Sequence, residues 1–151
     1  MTRPRRRLIV FLWAAILGAG VAAPAEAEKV FAPAGIGAAG YDPVAYFTDG
    51  AAVRGSEAFA VEHAGVTYRF ASAAHRDAFA AEPERYLPRY GGYCAYAAAK
   101  GALAPTDPEA FSVIDGKLYF NYSQDIRKRW LSDSGAHIEA ADRNWPRLGA
   151  E

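Results

Sequence analysis

The chain has 151 residues, 17 basic and 17 acidic side chains, and a single cysteine, Cys94. This balanced charge supplies no basic surface of the kind that nucleic acids or anionic membranes need, so we expect neither as a partner. A single cysteine excludes a disulfide within the chain. The length suits one domain that is stabilised by its hydrophobic core alone.

The first 27 residues have the pattern of a secretory signal peptide. Four arginines within residues 3–7 precede an apolar run from Leu8 to about Ala23, and Ala25-Glu26-Ala27 fits the small-x-small cleavage pattern. We therefore expect a bacterial protein that is exported to the periplasm or secreted, with cleavage after Ala27. The mature chain then has 13 basic and 16 acidic residues, a net charge of −3. An uncleaved N-terminal membrane anchor is the alternative.

Residues 28–40 form a segment rich in glycine, alanine and proline, which predicts a flexible arm. Residues 41–148 are expected to form the folded domain, with a helical extension at its carboxy-terminal end. At the start of this domain, Tyr41-Asp42-Pro43 predicts a turn in which the Asp42 carboxylate accepts hydrogen bonds from backbone amides.

The sequence predicts two β-hairpins. In the first, large apolar residues alternate with polar or small ones over residues 59–61 and 66–70, and Ala64-Gly65 marks the reversal.

The second hairpin is predicted from Asp115-Gly116, a favoured two-residue turn. Counting outward from this turn gives cross-strand pairs that share one face. The expected pairs are Val113 with Leu118 and Phe111 with Phe120. Ser112 and Lys117 then lie on the opposite face.

Helices are predicted after each hairpin and after the glycine pair. The expected helices run from Ala73 to about Ala81 after a Ser72 cap, from Cys94 to Lys100, from a Ser123 cap through Leu131, and from about Gly135 to Asn144, and a short turn spans Pro83 to about Leu87. Trp145-Pro146 is expected to end the last helix. Because strands and helices are partly segregated, we expect an α+β fold in which short helices pack on a small antiparallel sheet built from hairpins.

Three segments together resemble the YHS domain family. They are Asp42-Pro43-Val44, Tyr68-Arg69-Phe70-Ala71-Ser72-Ala73-Ala74-His75-Arg76-Asp77-Ala78-Phe79, and Pro83-Glu84-Arg85-Tyr86. Metal-handling members have cysteines at the positions of Ala45, Ala71 and His75. The whole mature chain is similar to the exported branch that is often labelled YHS domain-containing (seleno)protein.

Some members of that branch carry a selenocysteine at the position of Cys94. The resemblance therefore implies that the Cys94 sulfur is the reactive atom. A thiol in the first turn of a helix lies near unpaired backbone N–H groups, which favour the nucleophilic thiolate. Gly91 and Gly92 would let the backbone turn tightly and a ligand approach. We therefore expect Cys94, as the candidate catalytic residue, to react with alkylating reagents in the native protein. The alternative is a small, inert core residue on an alanine-rich helix.

Aromatic side chains surround the cysteine and the first turn. The candidate pocket residues are Tyr41, Tyr46, Tyr90, Tyr93 and Tyr96 with Gly91 and Gly92. These tyrosines could line a ligand pocket, or they could be core residues with satisfied hydroxyl groups.

The candidate metal ligands are Cys94 and His75. A soft metal such as copper needs several thiolate or imidazole ligands, and the family positions supply one imidazole. A site shared by two chains is therefore the metal-binding hypothesis. An exposed helix residue is the alternative for His75.

Three functions remain open from the sequence. The first is thiol redox chemistry at Cys94 with a peroxide, a disulfide or a small thiol, in which an external thiol partner resolves any sulfenic acid. The second is the binding of a soft metal. The third is a non-catalytic envelope module that binds a ligand or a protein while Cys94 is inert.

Overall fold

The structure is a computed structural model that describes residues 29–150. The expected signal peptide lies outside this range. The α-helices of the described part are α1 Ala45–Thr48, α2 Ala73–Ala81, α3 Pro83–Tyr86, α4 Ala95–Ala99, α5 Gln124–Leu131 and α6 Ser134–Leu148. Single 3-10 turns cover Pro33–Gly35, Gly37–Gly40 and Arg89–Gly92.

The strands of the described residues form two antiparallel sheets of two strands each. Strands β1 Ser56–His63 and β2 Val66–Phe70 form the first sheet, and β3 Asp107–Ile114 and β4 Lys117–Asn121 form the second. The predicted α+β fold is confirmed: short helices surround two hairpins in one unit.

Both predicted hairpin turns occur at the expected residues. In the first hairpin, His63 pairs with Val66 across Ala64-Gly65. In the second, Val113 pairs with Leu118 as expected. The central residues of both turns have positive φ, for example +50° at Asp115 and +71° at Gly116. This is the geometry that matches the twist of antiparallel strands.

The buried side chains form three clusters. The hairpin cluster consists of Val44, Tyr68, Phe70, Phe79 and Tyr86. The strand cluster consists of Ala38, Tyr46, Leu118 and Phe120. The helix cluster consists of Tyr90, Ala95, Ala98, Tyr119, Trp130, Ala141, Trp145 and Leu148.

Strand β4 of the second hairpin is buried on both faces. Leu118 and Phe120 point into the strand cluster, while Tyr119 points the other way into the helix cluster. Ser112, which the register places on the opposite face from Phe111 and Val113, is buried and accepts a hydrogen bond from Arg127 Nε at 3.0 Å. Val113, which shares a face with Phe111, is 38 % exposed.

The serine caps are confirmed, and the end of the last helix is not where it was predicted. Ser72 and Ser123 accept backbone hydrogen bonds from the third residue after each of them, at 3.1 and 3.2 Å. Helix α6, however, continues through Pro146 to Leu148. Proline breaks helices because it lacks an N–H and crowds the preceding turn. Here the burial of Trp145 and Leu148 in the helix cluster offsets that cost.

Residues 29–40 are attached to the domain, although the sequence predicted a flexible arm. Lys29 N donates to Gly149 O and Phe31 N donates to Gly91 O, both at 2.9 Å. Further along, Ile36 forms a parallel bridge with Thr67. In the described part of the chain, no helix combines the length and the apolar character that crossing a bilayer requires.

Gly91 allows the backbone of residues 29–40 to pack closely against the domain. It has a φ of +59°, and a Cβ at this position would overlap the carbonyl oxygen of Lys29. A left-handed conformation costs a residue with a side chain roughly 1–2 kcal/mol before any overlap is counted. The glycine at position 91 is therefore explained by backbone packing.

We expect Gly91→Ala to lower the free energy of unfolding by about 2 kcal/mol or more, because conformational strain and overlap with Lys29 add. Urea unfolding followed by circular dichroism measures the change. The matched control is Gly135→Ala in α6, where a Cβ meets open space and alanine is favoured by about 0.5–1 kcal/mol. Equal stability of the two variants would contradict this account.

Candidate functional site

Cys94 is buried, with 1 % of its surface exposed. It is the residue before α4, not part of its first turn, and its backbone N donates to Ala104 O at 3.0 Å. A parallel bridge joins it to Phe120 on β4. The sulfur is therefore enclosed between α4 and the second hairpin, and the accessible thiol that the sequence suggested is not observed.

Asn121 is the polar neighbour of the Cys94 sulfur. The Cys94 Sγ donates to Asn121 Oδ1 at 3.6 Å, and the same oxygen accepts from Tyr96 N at 3.2 Å. Because the Tyr96 backbone N–H donates to Asn121 Oδ1, the Asn121 side-chain amide is held with this oxygen, an acceptor, towards the Cys94 sulfur. Asn121 is fully buried, and its Nδ2 has no partner among the described residues. This arrangement suits a thiol that acts as a structural hydrogen-bond donor.

The candidate tyrosines do not gather in one pocket. Tyr46 is in the strand cluster, where its hydroxyl donates to Pro108 O at 3.0 Å, and Tyr41 packs beside this cluster. Tyr93 and Tyr96 lie against the helix cluster, which contains Tyr90. These positions match the core interpretation of the tyrosines.

His75 is paired with a buried carboxylate and is not the freely exposed helix residue considered in the sequence. Its Nδ1 is 2.6 Å from Asp42 Oδ2, and its side chain is 21 % exposed. Thr48 Oγ1 is 3.4 Å from the other ring nitrogen. Short contacts between an imidazole and a carboxylate are among the stronger hydrogen bonds in proteins.

Asp42 is fully buried and accepts four hydrogen bonds. Its Oδ1 accepts from Val44 N at 2.8 Å and from Ala45 N at 3.2 Å, which is the turn expected from the sequence. Its Oδ2 accepts from Ala71 N at 2.9 Å in addition to the contact with His75. The charge is thus satisfied by protein donors, and it ties the first turn to the end of β2 and the start of α2.

The three positions at which the resembling family has cysteines meet around Asp42. Ala45 and Ala71 contribute backbone amides there, and His75 contributes its ring. A soft metal does not fit these residues, because one imidazole is the whole ligand set and its Nδ1 faces Asp42. Among residues 29–150, no three His, Cys, Asp or Glu side chains are grouped as a metal site. The other metal candidate, Cys94, lies elsewhere, against Phe120 and Asn121.

A cavity of about 470 Å³ lies between the hairpin cluster and the helix cluster. Its wall combines aromatic, aliphatic and ionisable side chains from the arm, the first hairpin, α3 with the segment after it, and helix α6. The lining residues are Val30, His63, Ala64, Tyr68, Glu84, Leu87, Pro88, Arg89, Tyr90, Gly91 and Trp145. Ligand sites in proteins have volumes of roughly 300–1,000 Å³ and this mixture of aromatic surface with few polar groups.

The side chains of His63, Glu84 and Arg89 line this cavity. His63 Nε2 is 3.5 Å from Glu84 Oε1, and the Glu84 side chain is 84 % exposed. Arg89 Nη2 is 3.4 Å from Asp142 Oδ1, which also accepts from the Tyr90 hydroxyl at 2.9 Å.

The Tyr68 hydroxyl of the cavity wall stays protonated to higher pH than an ordinary tyrosine. Burial, and secondarily the Glu84 carboxylate, raises the pKa of Tyr68 to about 12. At neutral pH this group is therefore a hydrogen-bond donor.

Two of the candidate pocket residues, Tyr90 and Gly91, lie on the cavity wall, and the others do not. Sequence reasoning missed Val30, Tyr68, Arg89 and Trp145 as parts of one site. These residues are far apart in the chain, and no spacing pattern connects them.

We expect alkylation of Cys94 to require unfolding, because the sulfur is enclosed. Labelling with iodoacetamide in increasing urea should follow the unfolding transition seen by circular dichroism. The control is a Cys94→Ala, Val113→Cys double variant, whose thiol replaces a partly exposed side chain and should label without denaturant. Rapid labelling of the native wild type would show that the Cys94 thiol is accessible and would contradict its enclosure.

We expect stability to fall steeply above about pH 10, because burial raises the pKa of Tyr46, Tyr68, Tyr90 and Tyr119 above the ordinary value of 10.0. Below that pH these hydroxyl groups are protonated in both the folded and the unfolded protein, so ionisation takes nothing from the free energy of unfolding. Above it the unfolded chain ionises first, so each such tyrosine removes up to about 1.4 kcal/mol per pH unit.

Urea titrations between about pH 9 and about pH 12 measure this slope. Tyr68→Phe should make it shallower, because this variant removes one of the ionisations. A free energy of unfolding that does not change over this range would contradict the burial of these hydroxyl groups.

Comparisons of the chain with protein-family models, with curated proteins and with solved structures found no match. The resemblance to the YHS family therefore rests on the three sequence segments alone, and the function is argued from the geometry of the site.

Proposed function

We propose that this protein is an exported, YHS-like binding module that holds a small ligand in the cavity between the hairpin cluster and the helix cluster, and that Cys94 is a structural residue. The observation that carries the proposal is the contrast between the two candidate sites. The cavity has a volume of about 470 Å³ and is lined by side chains that reach solvent, among them Glu84 and Arg89, whereas the Cys94 side chain is enclosed.

The position of the cavity supports binding. Tyr68 belongs to the hairpin cluster, and Tyr90 and Trp145 belong to the helix cluster. A ligand at this place lies where the two clusters meet. Ligand pockets occur preferentially where separately packed units meet, since side chains there do not fill all of the space.

The surroundings of Cys94 argue against thiol chemistry as the main activity. A nucleophilic cysteine has to be accessible and has to lie near groups that stabilise its thiolate. The Cys94 Sγ instead faces the Asn121 Oδ1 acceptor in a buried position. The redox hypothesis requires an opening of the segment between α4 and β4 before any oxidant reaches the sulfur.

Export and family membership belong to the same proposal and have their own support. The arginines within residues 3–7 and the Ala25-Glu26-Ala27 pattern support export. The convergence of Ala45, Ala71 and His75 on Asp42 supports a YHS-like arrangement, because these are the positions that carry cysteines in metal-handling relatives of that family.

The test is a screen of small neutral, anionic and cationic fragments against the mature chain by two-dimensional NMR. We expect some fragments to shift the amide signals of cavity residues such as Tyr68, Gly91 and Trp145. Val30→Trp should abolish these shifts, because Val30 lines the cavity and the larger side chain would occupy part of its volume. Cys94→Ala should retain them.

The matched control for the filled cavity is Val113→Trp, which places the same side chain at a partly exposed position of β3 outside the cavity lining. This variant should bind like the wild type. If no fragment of any charge class shifts the cavity signals, or if Cys94→Ala alone abolishes binding, the proposed function is wrong.

A further inference from the structure

The pair formed by Asp42 and His75 leaves one ring nitrogen of the histidine available for chemistry. Asp42 Oδ2 lies 2.6 Å from His75 Nδ1. The carboxylate is fully buried and only accepts hydrogen bonds, so a neutral imidazole at this place carries its single proton on Nδ1. The unprotonated Nε2 is then a hydrogen-bond acceptor and a base. The His75 side chain is 21 % exposed, so solvent reaches the ring.

The Thr48 hydroxyl faces this nitrogen at the surface. Thr48 is the last residue of α1, and its Oγ1 is 3.4 Å from His75 Nε2 in an exposed contact. The same hydroxyl has two other acceptors, Val44 O at 3.2 Å and Asp49 Oδ1 at 2.9 Å. A hydroxyl has one proton, so these acceptors compete with His75 for it. Contacts between a nucleophile and its base are often long until a substrate is bound.

The order of hydroxyl, imidazole and buried carboxylate is the one by which acyl-transfer enzymes activate a nucleophile. We propose that Thr48 is such a nucleophile, with His75 as its general base, and that the protein hydrolyses small activated esters at this surface. Asp42 is a positioning residue, because it acts through the His75 ring. Thr48 and His75 do not line the cavity, so this activity goes beyond the proposed binding function and does not depend on it.

The reaction has two steps that use the same proton acceptor. In the first, Thr48 Oγ1 forms a bond to the ester carbonyl carbon while its proton passes to His75 Nε2. The ester C–O bond then breaks, and the leaving alcohol takes this proton. In the second, water attacks the acyl-threonine, its proton passes through His75 Nε2 to Thr48 Oγ1, and the acid is released. Because the contact is exposed, water weakens each hydrogen bond there, and the ester has to supply a good leaving group.

The experiment treats the mature protein with diisopropyl fluorophosphate, whose phosphorus bonds to an attacking oxygen and releases fluoride. Peptide mapping by mass spectrometry should locate the modification at Thr48. His75→Gln should slow this modification about 100-fold, as expected for the loss of a general base. The protein should also release p-nitrophenol from p-nitrophenyl acetate. Thr48→Ala should remove most of this release, and Thr48→Ser should retain it because the hydroxyl remains.

The matched control is His137→Gln in α6. His137 also holds an oxygen with its Nδ1, at 2.9 Å, but this oxygen is the backbone carbonyl of Trp130. This variant should react like the wild type. Circular dichroism shows whether each variant is folded. If His75→Gln does not fold because Asp42 loses its partner, the exposed Thr48→Ala and Thr48→Ser variants decide the question.

The role of Asp42 has a readout of its own. Nitrogen-15 NMR of the His75 ring, recorded where the imidazole is neutral, should find the proton on Nδ1 and none on Nε2. A purely structural contact at Asp42 does not require an unprotonated nitrogen towards Thr48. The opposite tautomer would remove Asp42 as the residue that positions the base, and with it the proposed activation of Thr48.

Three results would overturn the esterase site. They are the absence of modification at Thr48, modification at exposed hydroxyl groups such as that of Tyr122 alone, and ester hydrolysis that is unchanged in Thr48→Ala. None of them bears on the cavity, so the proposed binding function stands or falls by its own fragment screen.

Discussion

Strand β4 organises the packing of this domain because both of its faces are buried. Phe120 joins the strand cluster on one face, and Tyr119 joins the helix cluster on the other. Along the same strand, Pro88 and Cys94 form parallel bridges with Leu118 and Phe120. The segment that carries the glycine pair is therefore held against the centre of the protein. The enclosure of Cys94 and the position of the Arg89–Gly92 turn both follow from this packing.

A second constraint acts at the amino-terminal side of the domain. The Asp42 carboxylate is fully buried, and its charge is compensated by three backbone amides and His75. A buried carboxylate is tolerated only with such a set of donors. The interaction connects the first turn with β2 and α2, so that the hairpin cluster forms around it. Beyond this cluster, space remains where it meets the helix cluster, and the cavity lies there.

The glycine pair and the cysteine, which look like a reactive motif, have separate structural explanations. Gly91 lets the backbone of Lys29 approach, and Cys94 fills a buried place and donates to Asn121. The polar side chains that reach solvent at the cavity are instead His63, Glu84 and Arg89. Chemical reactivity in isolation is thus a weaker guide to a functional site than access to solvent.

Local patterns were sufficient for the hairpin registers and the helix starts. Asp115-Gly116, Ser72 and Ser123 act through hydrogen bonds and backbone angles within a few residues, so their effect is visible in the sequence. The continuation of α6 through Pro146 was not visible, because the burial of Trp145 and Leu148 against distant residues outweighs the local preference of proline.

The tertiary structure alone decided which residues form the site. Val30, Tyr68, Arg89 and Trp145 come from four separate segments, and only the packing of two clusters brings them to one cavity. The same packing removed Cys94 from solvent. The sequence determined the elements and their turns through short-range interactions. Exposure and proximity depend on long-range contacts, which a single sequence does not display.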